Sequence, residues 1–310
     1  MKKVFVDGGA GTTGLNIVKR LSMRKDITLI TLSEEKRKDE EARKDAIFES
    51  DVTFLCLPDA AAVTAANLAK GSGATIIDTS TAHRVSPDFV YGFAELDDSR
   101  EKIASAKLIA NPGCHASGFI ALAYPLVKAG AISKEAALSC FSLTGYSGGG
   151  KKMIAEYESA QKAKKLLAPG MYGLSQTHKH LPEMKAVCGL ENAPAFCPVV
   201  ADYYSGMMTV ITLCGGQTPF GIKEIKDVYR TFYRGGVVKY AEDPDDNGFL
   251  YAGGFSGRDD MEISVYGGGE RVILVARFDN LGKGACGAAI QNMNINLGLP
   301  EETGLILSEA

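Results

Sequence analysis

One cysteine of this 310-residue chain stands where a catalytic nucleophile would be expected. Cys114 ends the run Asn111-Pro-Gly-Cys, which follows a short apolar strand and opens a helix-like segment. At the first turn of a helix, unpaired amide N–H groups and the positive end of the helix dipole stabilise a thiolate. Considered alone, Cys114 fits a structural role equally well, so its chemistry depends on its partners. Five other cysteines are interpreted as core residues: Cys56, Cys140, Cys188, Cys214 and Cys286. Cys197 has no assigned role, and a structural one is favoured.

A base for that thiol is offered by the run His178-Lys-His180-Leu-Pro-Glu183, which reads as a polar loop. Histidine exchanges a proton near neutral pH, and a nearby carboxylate can fix its tautomer. Two surface histidines are the plainer interpretation of this run, and a metal site is a third, although no cluster of cysteines or carboxylates completes one. We predict a catalytic set and no metal. The set is Cys114, His180, His178 and Glu183, with His180 as the acid/base.

Two further loops are shaped to bind an anion. The run Thr144–Lys151 combines hydroxyls, glycine amides and a cation, and Asp78–Arg84 follows a strand at the carboxyl edge of the predicted sheet. An arginine there can pair with a carboxylate or a phosphate through two parallel hydrogen bonds. An ordinary surface arginine is the alternative. The predicted substrate contacts are Arg84, Asn111, Ser147, Gly148 and Lys151.

A glycine-rich turn follows the first strand and opens the first helix. Its spacing is G-x-x-G-x-x-G, a variant of the dinucleotide-binding fingerprint. Glycines let the backbone turn tightly and approach a pyrophosphate, whose charge the helix N-terminus stabilises. A purely structural turn is the alternative, but the position after the first strand favours cofactor binding. The predicted contacts are Gly8, Gly11, Thr12, Thr13 and Gly14.

The end of the second strand bears on which nicotinamide cofactor is used. Ser33 stands where an acidic residue would hold the ribose hydroxyls of NAD, and the cations Lys36 and Arg37 follow. A small hydroxyl beside cations suits a 2′-phosphate, so we predict NADP (NADPH), with contacts from Ser33 and Arg37. Glu34 opposes this interpretation, and the run Lys36–Lys38 also fits a solvated charged surface.

The elements that must position these residues change in character at Cys114. Before it, short apolar strands such as Thr75–Asp78 alternate with helix-like segments, which predicts a Rossmann-type, doubly wound parallel sheet of the α/β class. Beyond it, strands of antiparallel type such as Arg271–Phe278 accompany a long helix at Phe220–Tyr233, which predicts a second, α+β domain. A last helix is predicted near Gly284–Asn296.

Composition excludes several classes of partner. With 34 basic and 37 acidic side chains the net charge is −3, and there is no basic tail to hold nucleic acid. The longest apolar stretch, Phe119–Ile132, is interrupted by Pro125 and Lys128, so we expect no membrane partner. Lys2 and Lys3 precede only three apolar residues, too few for a secretory signal. We therefore expect a cytoplasmic protein with reduced thiols.

Taken together, the motifs resemble the short form of N-acetyl-gamma-glutamyl-phosphate reductase, an enzyme of arginine biosynthesis. The matching segments run in family order along nearly the whole chain: Gly8–Gly14, Ile77–Arg84, Tyr91–Leu96, Asn111–Cys114, Ser142–Lys151, His178–Glu183 and Leu281–Asn294. Two segments depart from the better-known members. His115-Ala-Ser replaces a Tyr-Pro-Thr-like run, and Thr144-Gly-Tyr with Lys151 replaces Ser-Gly-x with arginine.

The resemblance implies an NADP-binding Rossmann domain formed by residues 1–114 and 285–310. Residues 115–284 would form a substrate, catalytic and oligomerisation domain like the C-terminal domain of glyceraldehyde-phosphate dehydrogenase. Cys114 would attack an acyl phosphate, release phosphate and form a thioester, which NADPH reduces to the aldehyde. Asn292 would lie near the nicotinamide. The implied partners are the small-molecule acyl phosphate, phosphate and further copies of the chain, as a dimer or a tetramer.

Three other interpretations stay open at this point. Aspartate-semialdehyde dehydrogenase shares the fold and the chemistry, although its histidine usually follows the cysteine at a greater distance in sequence. A non-catalytic NADP-binding sensor would not need Cys114 together with His178 and His180. A cofactor-free thiol hydrolase using Cys114 and His180 would not need the glycine turn.

Overall fold

The computed structural model describes residues 1–308, which form two compact units. The first consists of Met1–Pro112 and Ala285–Leu305, and the second of Gly113–Gly284 with the residues from Ile306 onward. Compared with the division expected from the resemblance, residues 113–114 and 306–308 group with the second unit. Residues 309–310 of the expected first domain lie outside the described part of the chain.

The helices are numbered here in chain order. They are α1 (Thr12–Leu21), α2 (Glu40–Glu49), α3 (Asp59–Leu68), α4 (Ser99–Ser105), α5 (Cys114–Lys128), α6 (Gly150–Glu158), α7 (Leu181–Cys188), α8 (Ile222–Phe232) and α9 (Gly287–Asn296). A π-helical turn, Gly282–Cys286, leads into α9. Within residues 1–308 no helix combines the length and the apolar character needed to cross a bilayer.

The strands are numbered in the same way. They are β1 (Lys2–Asp7), β2 (Ile27–Ile30), β3 (Val52–Leu55), β4 (Thr75–Asp78), β5 (Val90–Tyr91), β6 (Leu108–Ala110), β7 (Ser139–Gly145), β8 (Gly170–Met171), β9 (Ala195–Ala201), β10 (Met207–Leu213), β11 (Arg234–Gly235), β12 (Val238–Tyr240), β13 (Met261–Gly268) and β14 (Arg271–Phe278).

The first unit is a parallel sheet in the order β2-β1-β3-β4-β6-β5. After β1 the chain adds β2 on one side and β3 on the other, so the order reverses at the carboxyl end of β1. Such a switch point is where doubly wound sheets bind ligands. The predicted glycine turn begins there, directly after Asp7.

Two apolar cores cover the two faces of this sheet. One joins Val4 and Phe54 to Ile17 of α1 and to Ile290 and Met293 of α9. The other packs side chains of β1, β3 and β4 against α2 and α3, through Phe5, Ile47, Leu55, Ala65 and Ile76. Because helices lie on both faces, the prediction of a doubly wound α/β unit is confirmed.

The second unit contains a mixed sheet in the order β11-β12-β13-β14-β10-β7-β9-β8. Most neighbouring strands are antiparallel, but β7 pairs with β9, and β12 with β13, in parallel. Helix α5 covers one face, since a Cβ added to its Gly118 would collide with Thr209 and Phe278. The α+β prediction is confirmed, with a sheet that is mixed and not uniformly antiparallel.

Some local predictions were wrong. The run His178–Glu183 is not a polar loop, because α7 begins at Leu181 and Glu183 is buried in its first turn. Pro182 and Glu183 both favour a helix start at this point, since proline fits the first turn and an acidic side chain there is stabilised by the helix dipole. Cys214 lies one residue beyond β10 and is exposed, so it does not fill the core.

Candidate active site

Cys114 is the first residue of α5 and is partly exposed. Gly113 precedes it in an extended conformation, as a residue preceding a helix does (φ −82°, ψ 147°). Gly284 leaves room beside the thiol, because a Cβ at that position would lie 2.9 Å from the Cβ of Cys114. The nucleophile predicted from sequence is therefore an accessible thiol at a helix N-terminus. All seven cysteines are free thiols.

Glu183 connects the turn before Cys114 with His180. Its Oε2 accepts a hydrogen bond from the Gly113 N–H at 3.2 Å, and its Oε1 lies 3.9 Å from Nε2 of His180. Glu183 is 1% exposed and His180 is 5% exposed. A carboxylate buried to this degree requires such partners, and it fixes its neighbours in return. The structure thus places Glu183 next to both His180 and the residue before Cys114, and their catalytic roles stay predictions.

Three imidazole rings lie close together: that of His115, the residue after Cys114, and those of His178 and His180. The ring centroids of His178 and His180 are 4.8 Å apart, and those of His115 lie 5.8 Å and 5.6 Å from them. Nδ1 of His178 accepts the backbone N–H of His180 at 3.2 Å, so neutral His178 carries its proton on Nε2. Phe196 closes the group, with its ring 5.2 Å from that of His115.

His115 is the member of this group that sequence analysis noted only as a departure from the family. It is 2% exposed, and burial lowers its pKa to about 3, with the nearby charge of His178 adding to the effect. Its Nδ1 lies 2.7 Å from Ser142 Oγ and its Nε2 lies 2.6 Å from Tyr172 Oη. His115 is therefore neutral and hydrogen-bonded at both nitrogens.

Tyr172 was missed altogether, and no motif could have identified it. It follows the two-residue strand β8 and precedes Gly173, whose φ is +64°. Burial, and secondarily the charge of Cys114, raise the pKa of Tyr172 above its usual range. The tyrosine therefore stays protonated beside the thiol.

The loop from β7 to α6 holds the substrate residues predicted in the second unit. Ser147 is buried and its Oγ accepts a hydrogen bond from Asn280 Nδ2 at 2.9 Å. Gly148 is exposed, and Lys151 lies exposed in the first turn of α6. Ser147 thus has a structural partner already, and the anion-binding roles of the three residues stay predictions.

Arg84 and Asn111 lie in the first unit and also bind its backbone. The Arg84 guanidinium donates to the carbonyls of Asn111 and Thr79 at 3.1 Å and 3.2 Å. Asn111 Nδ2 donates to the Ala285 carbonyl at 3.0 Å. Through these hydrogen bonds, both side chains stabilise the backbone at the carboxyl ends of β4 and β6. Their contact with substrate stays a prediction.

Asn292, on α9, is fully buried in the first unit. Its Nδ2 donates to the Gly92 carbonyl at 2.9 Å and to Asn111 Oδ1 at 3.2 Å. Among residues 1–308, its Oδ1 accepts no hydrogen bond. A buried carbonyl oxygen without a donor is costly, which indicates a site for a ligand N–H.

The glycine turn borders a cavity of about 680 Å³ in the first unit. Gly8 has φ +86°, and a Cβ at Gly14 would lie 2.5 Å from the Gly8 carbonyl oxygen, so the turn requires glycine at both positions. Gly11 precedes α1, and Thr12 and Thr13 form the first turn of that helix. The turn is the kind of close backbone approach that dinucleotide binding uses.

Cations line the other side of this cavity. They are Arg37, Lys38 and Arg43, of which only Arg37 was predicted. Arg37 pairs with Glu34 at 2.7 Å, and Arg43 pairs with Asp7 at 2.7 Å. The predicted Ser33 is exposed, and its carbonyl accepts the N–H groups of Lys36 and Arg37. Sequence analysis did not predict Arg43, because it lies on α2, ten residues beyond Ser33.

No group of three or more histidine, cysteine, aspartate or glutamate side chains within residues 1–308 is arranged to hold a metal ion. In the second unit, Glu183 and His178 each accept a hydrogen bond from a backbone N–H group.

Curated relatives align with nearly the whole chain. N-acetyl-gamma-glutamyl-phosphate reductase 2 of Nostoc sp. is 42% identical over 319 residues, covering 98% of this chain and 99% of its own. The chain belongs to the N-acetyl-gamma-glutamyl-phosphate reductase family. Members from Brucella anthropi and Sinorhizobium medicae are 42% and 40% identical, each over 306 residues, and cover 96% and 95% of this chain and 98% of their own.

Two family models match this member of the N-acetyl-gamma-glutamyl-phosphate reductase family, one within each unit of the fold. Residues 3–106 match the semialdehyde dehydrogenase NAD binding domain, and residues 114–280 match the semialdehyde dehydrogenase dimerisation domain. The resemblance stated from the motifs is confirmed, and with it the assignment to a family of nicotinamide-dependent enzymes.

Solved structures share the fold at low sequence identity. Aspartate semialdehyde dehydrogenase II of Vibrio cholerae, complexed with ASA, has a TM-score of 0.73 at 14% identity and covers 96% of this chain and 98% of its own. Aspartate semialdehyde dehydrogenase of Candida albicans, solved with NADP, has a TM-score of 0.68 at 14% identity and covers 96% of this chain and 99% of its own. At this identity the likeness concerns the fold alone.

Proposed function

We propose that this chain catalyses the NADPH-dependent reduction of N-acetyl-gamma-glutamyl phosphate to N-acetylglutamate 5-semialdehyde and phosphate, a step of arginine biosynthesis. One observation carries the proposal: a partly exposed thiol at a helix N-terminus, tied through Glu183 to a buried histidine. The names of relatives that align along nearly the full chain support the substrate.

Cys114 performs the covalent steps. Its thiolate forms a bond to the acyl carbon, the bond from that carbon to the phosphate oxygen breaks, and phosphate leaves with the electron pair. The product of this exchange is a thioester on Cys114. Once the thioester carbon has been reduced, the carbonyl re-forms, the carbon–sulfur bond breaks and Cys114 departs as thiolate. Covalent capture thereby divides a difficult reduction into two easier steps.

His180 handles the proton of the thiohemiacetal oxygen. It donates that proton as negative charge develops and takes it back when the carbon–sulfur bond breaks. Glu183 positions both participants, since one oxygen accepts from the N–H before Cys114 and the other faces His180 Nε2. The Nδ1 of His178 accepts a backbone N–H, so the neutral ring carries its proton on Nε2, and we assign that Nε2–H to contact with the substrate.

The first unit fits a nicotinamide dinucleotide. Gly8 and Gly14 give the close approach that a pyrophosphate needs, and the buried Oδ1 of Asn292 can accept the carboxamide N–H of a nicotinamide. When bound in its reduced form, the cofactor supplies the hydride for the thioester carbon. We assign residues 1–112 with 285–305 to cofactor binding.

NADP is favoured over NAD by the cations of the cavity. Arg37, Lys38 and Arg43 are positioned to hold a 2′-phosphate, whereas NAD would place a neutral hydroxyl among them. Asp7 orients the Arg43 guanidinium, because its Oδ2 accepts hydrogen bonds from Nε and Nη2 of Arg43.

The second unit is proposed to bind substrate and to form the interface of a homodimer. The sheet face opposite α5 exposes two large apolar side chains, Phe141 at 42% and Ile273 at 40%. On the intervening strand β10, the partly buried Val210 pairs in register with Phe141, and the exposed Thr212 pairs with Ile273. An apolar patch of this kind on a domain otherwise rich in polar surface is typical of a subunit interface. The occupant we propose is the same face of a second copy.

The decisive test is an assay that starts from N-acetylglutamate semialdehyde, phosphate and NADP and follows absorbance of the reduced cofactor. We expect turnover, at least a tenfold lower kcat/KM with NAD, and a loss of about 10⁴-fold or more in Cys114→Ser. Cys214→Ser, which removes an exposed thiol, should retain full activity. Turnover of aspartate semialdehyde in place of the acetylated aldehyde would refute the substrate assignment, and an active Cys114→Ser enzyme would refute the nucleophile.

A further inference from the structure

A chain of hydrogen bonds runs from the sheet of the second unit to the neighbourhood of Cys114. Thr209 Oγ1 lies 3.0 Å from Ser142 Oγ, which lies 2.7 Å from His115 Nδ1. His115 Nε2 lies 2.6 Å from Tyr172 Oη. Thr209 and Ser142 are fully buried and His115 is 2% exposed, whereas Tyr172 is partly accessible. Only the tyrosine end of the chain therefore opens toward solvent.

The buried Thr209 end of this chain determines the donor and the acceptor of each hydrogen bond in it. Among residues 1–308, the Thr209 hydroxyl has Ser142 Oγ as its one hydrogen-bond partner, so it donates there. Ser142 must then donate its own hydrogen to His115 Nδ1, because a buried hydroxyl hydrogen without an acceptor is costly. A neutral imidazole that accepts at Nδ1 carries its proton on Nε2. His115 therefore donates to Tyr172 Oη, and the Tyr172 hydrogen is directed to another acceptor.

Tyr172 is well placed to use that hydrogen in the reaction. It bonds to the residue that follows Cys114, and its ring centroid lies 5.9 Å from that of His178. The charge of Cys114 contributes to the raised pKa of Tyr172, which keeps its hydroxyl a donor throughout the usable pH range. A donor that is protonated and already oriented needs no reorganisation when charge develops.

We propose that Tyr172 is a further catalytic residue, whose hydroxyl donates a hydrogen bond to the oxygen that becomes negative when the thiohemiacetal forms on Cys114. The inference rests on the proposed acyl-phosphate reduction. His180 still transfers the proton, while Tyr172 stabilises the charge without losing its own. Thr209, Ser142 and His115 act as positioning residues, because they fix the direction in which Tyr172 donates.

The orientation of the chain can be tested without any substrate. In protein labelled with ¹⁵N-histidine, we expect the resonances of His115, assigned by their absence in His115→Gln, to report a neutral ring protonated at Nε2. Protonation at Nδ1, or a charged ring at pH 7, would overturn the proposed direction of donation. This measurement stands even if the substrate assignment fails.

The role of Tyr172 is tested by a single-turnover burst. Mixing the enzyme with NADP and the semialdehyde, without phosphate, should yield one equivalent of reduced cofactor as the thioester accumulates. In Tyr172→Phe we expect the burst rate to fall about 10²-fold with KM nearly unchanged, the size seen when one oxyanion donor is lost. Tyr203→Phe is the matched control, because the Tyr203 hydroxyl is buried without a partner among the described residues and should have no role.

The outcomes separate the two proposals. If the wild-type enzyme gives no burst, the proposed function fails. If it gives a burst that Tyr172→Phe leaves unchanged, or changes only through KM, the catalytic role of Tyr172 is wrong. His115→Gln keeps a side-chain N–H that can reach Tyr172 and should recover much of the rate lost in His115→Leu, and equal rates in these two variants would contradict the positioning role.

Discussion

At the scale of single residues, the site shows how burial assigns different tasks to chemically identical groups. His115, His178 and His180 lie within 6 Å of one another, yet each has a different set of partners. His115 bonds to two hydroxyls and is held neutral, His178 accepts a backbone N–H, and His180 faces a carboxylate. The division of roles follows from these contacts, which the spacing of the histidines in sequence does not reveal.

Acid stability should depend on His115. Its pKa is lowered from 6.5 to about 3 in the folded protein, so between these values the unfolded chain binds more protons than the folded one. Folding stability is therefore lost as the pH falls from about 6.5 toward 3, by up to about 1.4 kcal/mol per pH unit. In urea titrations at pH 7 and pH 5, His115→Gln should show a smaller drop in the free energy of unfolding than the wild type.

Tyr172→Phe keeps His115 and provides the control for this measurement. Its free energy of unfolding should depend on pH as steeply as that of the wild type. An equally steep dependence in His115→Gln would mean that another group titrates over this range.

At the scale of elements, regular alternation made the first unit predictable. The strand Thr75–Asp78 and, in the second unit, Arg271–Phe278 were predicted with the bounds that the structure has. The strands at β5, β8 and β11 have two residues each, too few to leave a pattern. Tyr172 follows one of them, and Ser142 is one polar position of a longer strand. Their contact with His115 depends on tertiary packing, so motifs predicted a nucleophile and its base but not the hydrogen bonds that join Ser142, His115 and Tyr172.

A substitution in the glycine turn between β1 and α1 tests whether this turn shapes the cofactor site. In Gly14→Ala, the new methyl group would lie 2.5 Å from the Gly8 carbonyl oxygen, so the start of α1 must move away from the turn. We expect a loss of stability of about 1–3 kcal/mol and at least a tenfold weaker affinity for NADP, measured by thermal unfolding and by isothermal titration.

Gly73→Ala is the matched substitution in the same unit. A Cβ at Gly73 meets no atom within 4 Å, so both its stability and its NADP affinity should equal those of the wild type. An unaltered affinity in Gly14→Ala would show that the turn does not shape the cofactor site.

At the scale of the whole molecule, the exposed apolar side chains on the sheet of the second unit bear on the proposed homodimer. Phe141 is paired in register with Val210, so their side chains lie next to each other on this face. The opposite face of the same sheet is filled by α5. A second copy would remove the exposed part of this surface from water.

A charge in that surface should separate the copies. Wild-type protein should sediment with at least twice the 32.9 kDa mass of one chain, and Phe141→Asp should shift the population to the monomer because an aspartate would be buried unpaired. Phe249→Asp alters a phenylalanine that is 62% exposed outside the sheet and should leave the mass unchanged. A monomeric wild type would refute the proposed interface.

The path of the chain through the first unit has a consequence for biosynthesis. Ile290 and Met293 of α9 complete the core around Val4 and Phe54, yet they are translated after all of residues 113–284. At about 5–20 residues per second, a ribosome would leave that core open for roughly 10–35 s. During synthesis, part of the apolar core of the N-terminal sheet therefore stays exposed to solvent until α9 has been translated. We expect chaperones that bind exposed apolar surface to bind the nascent chain during this interval.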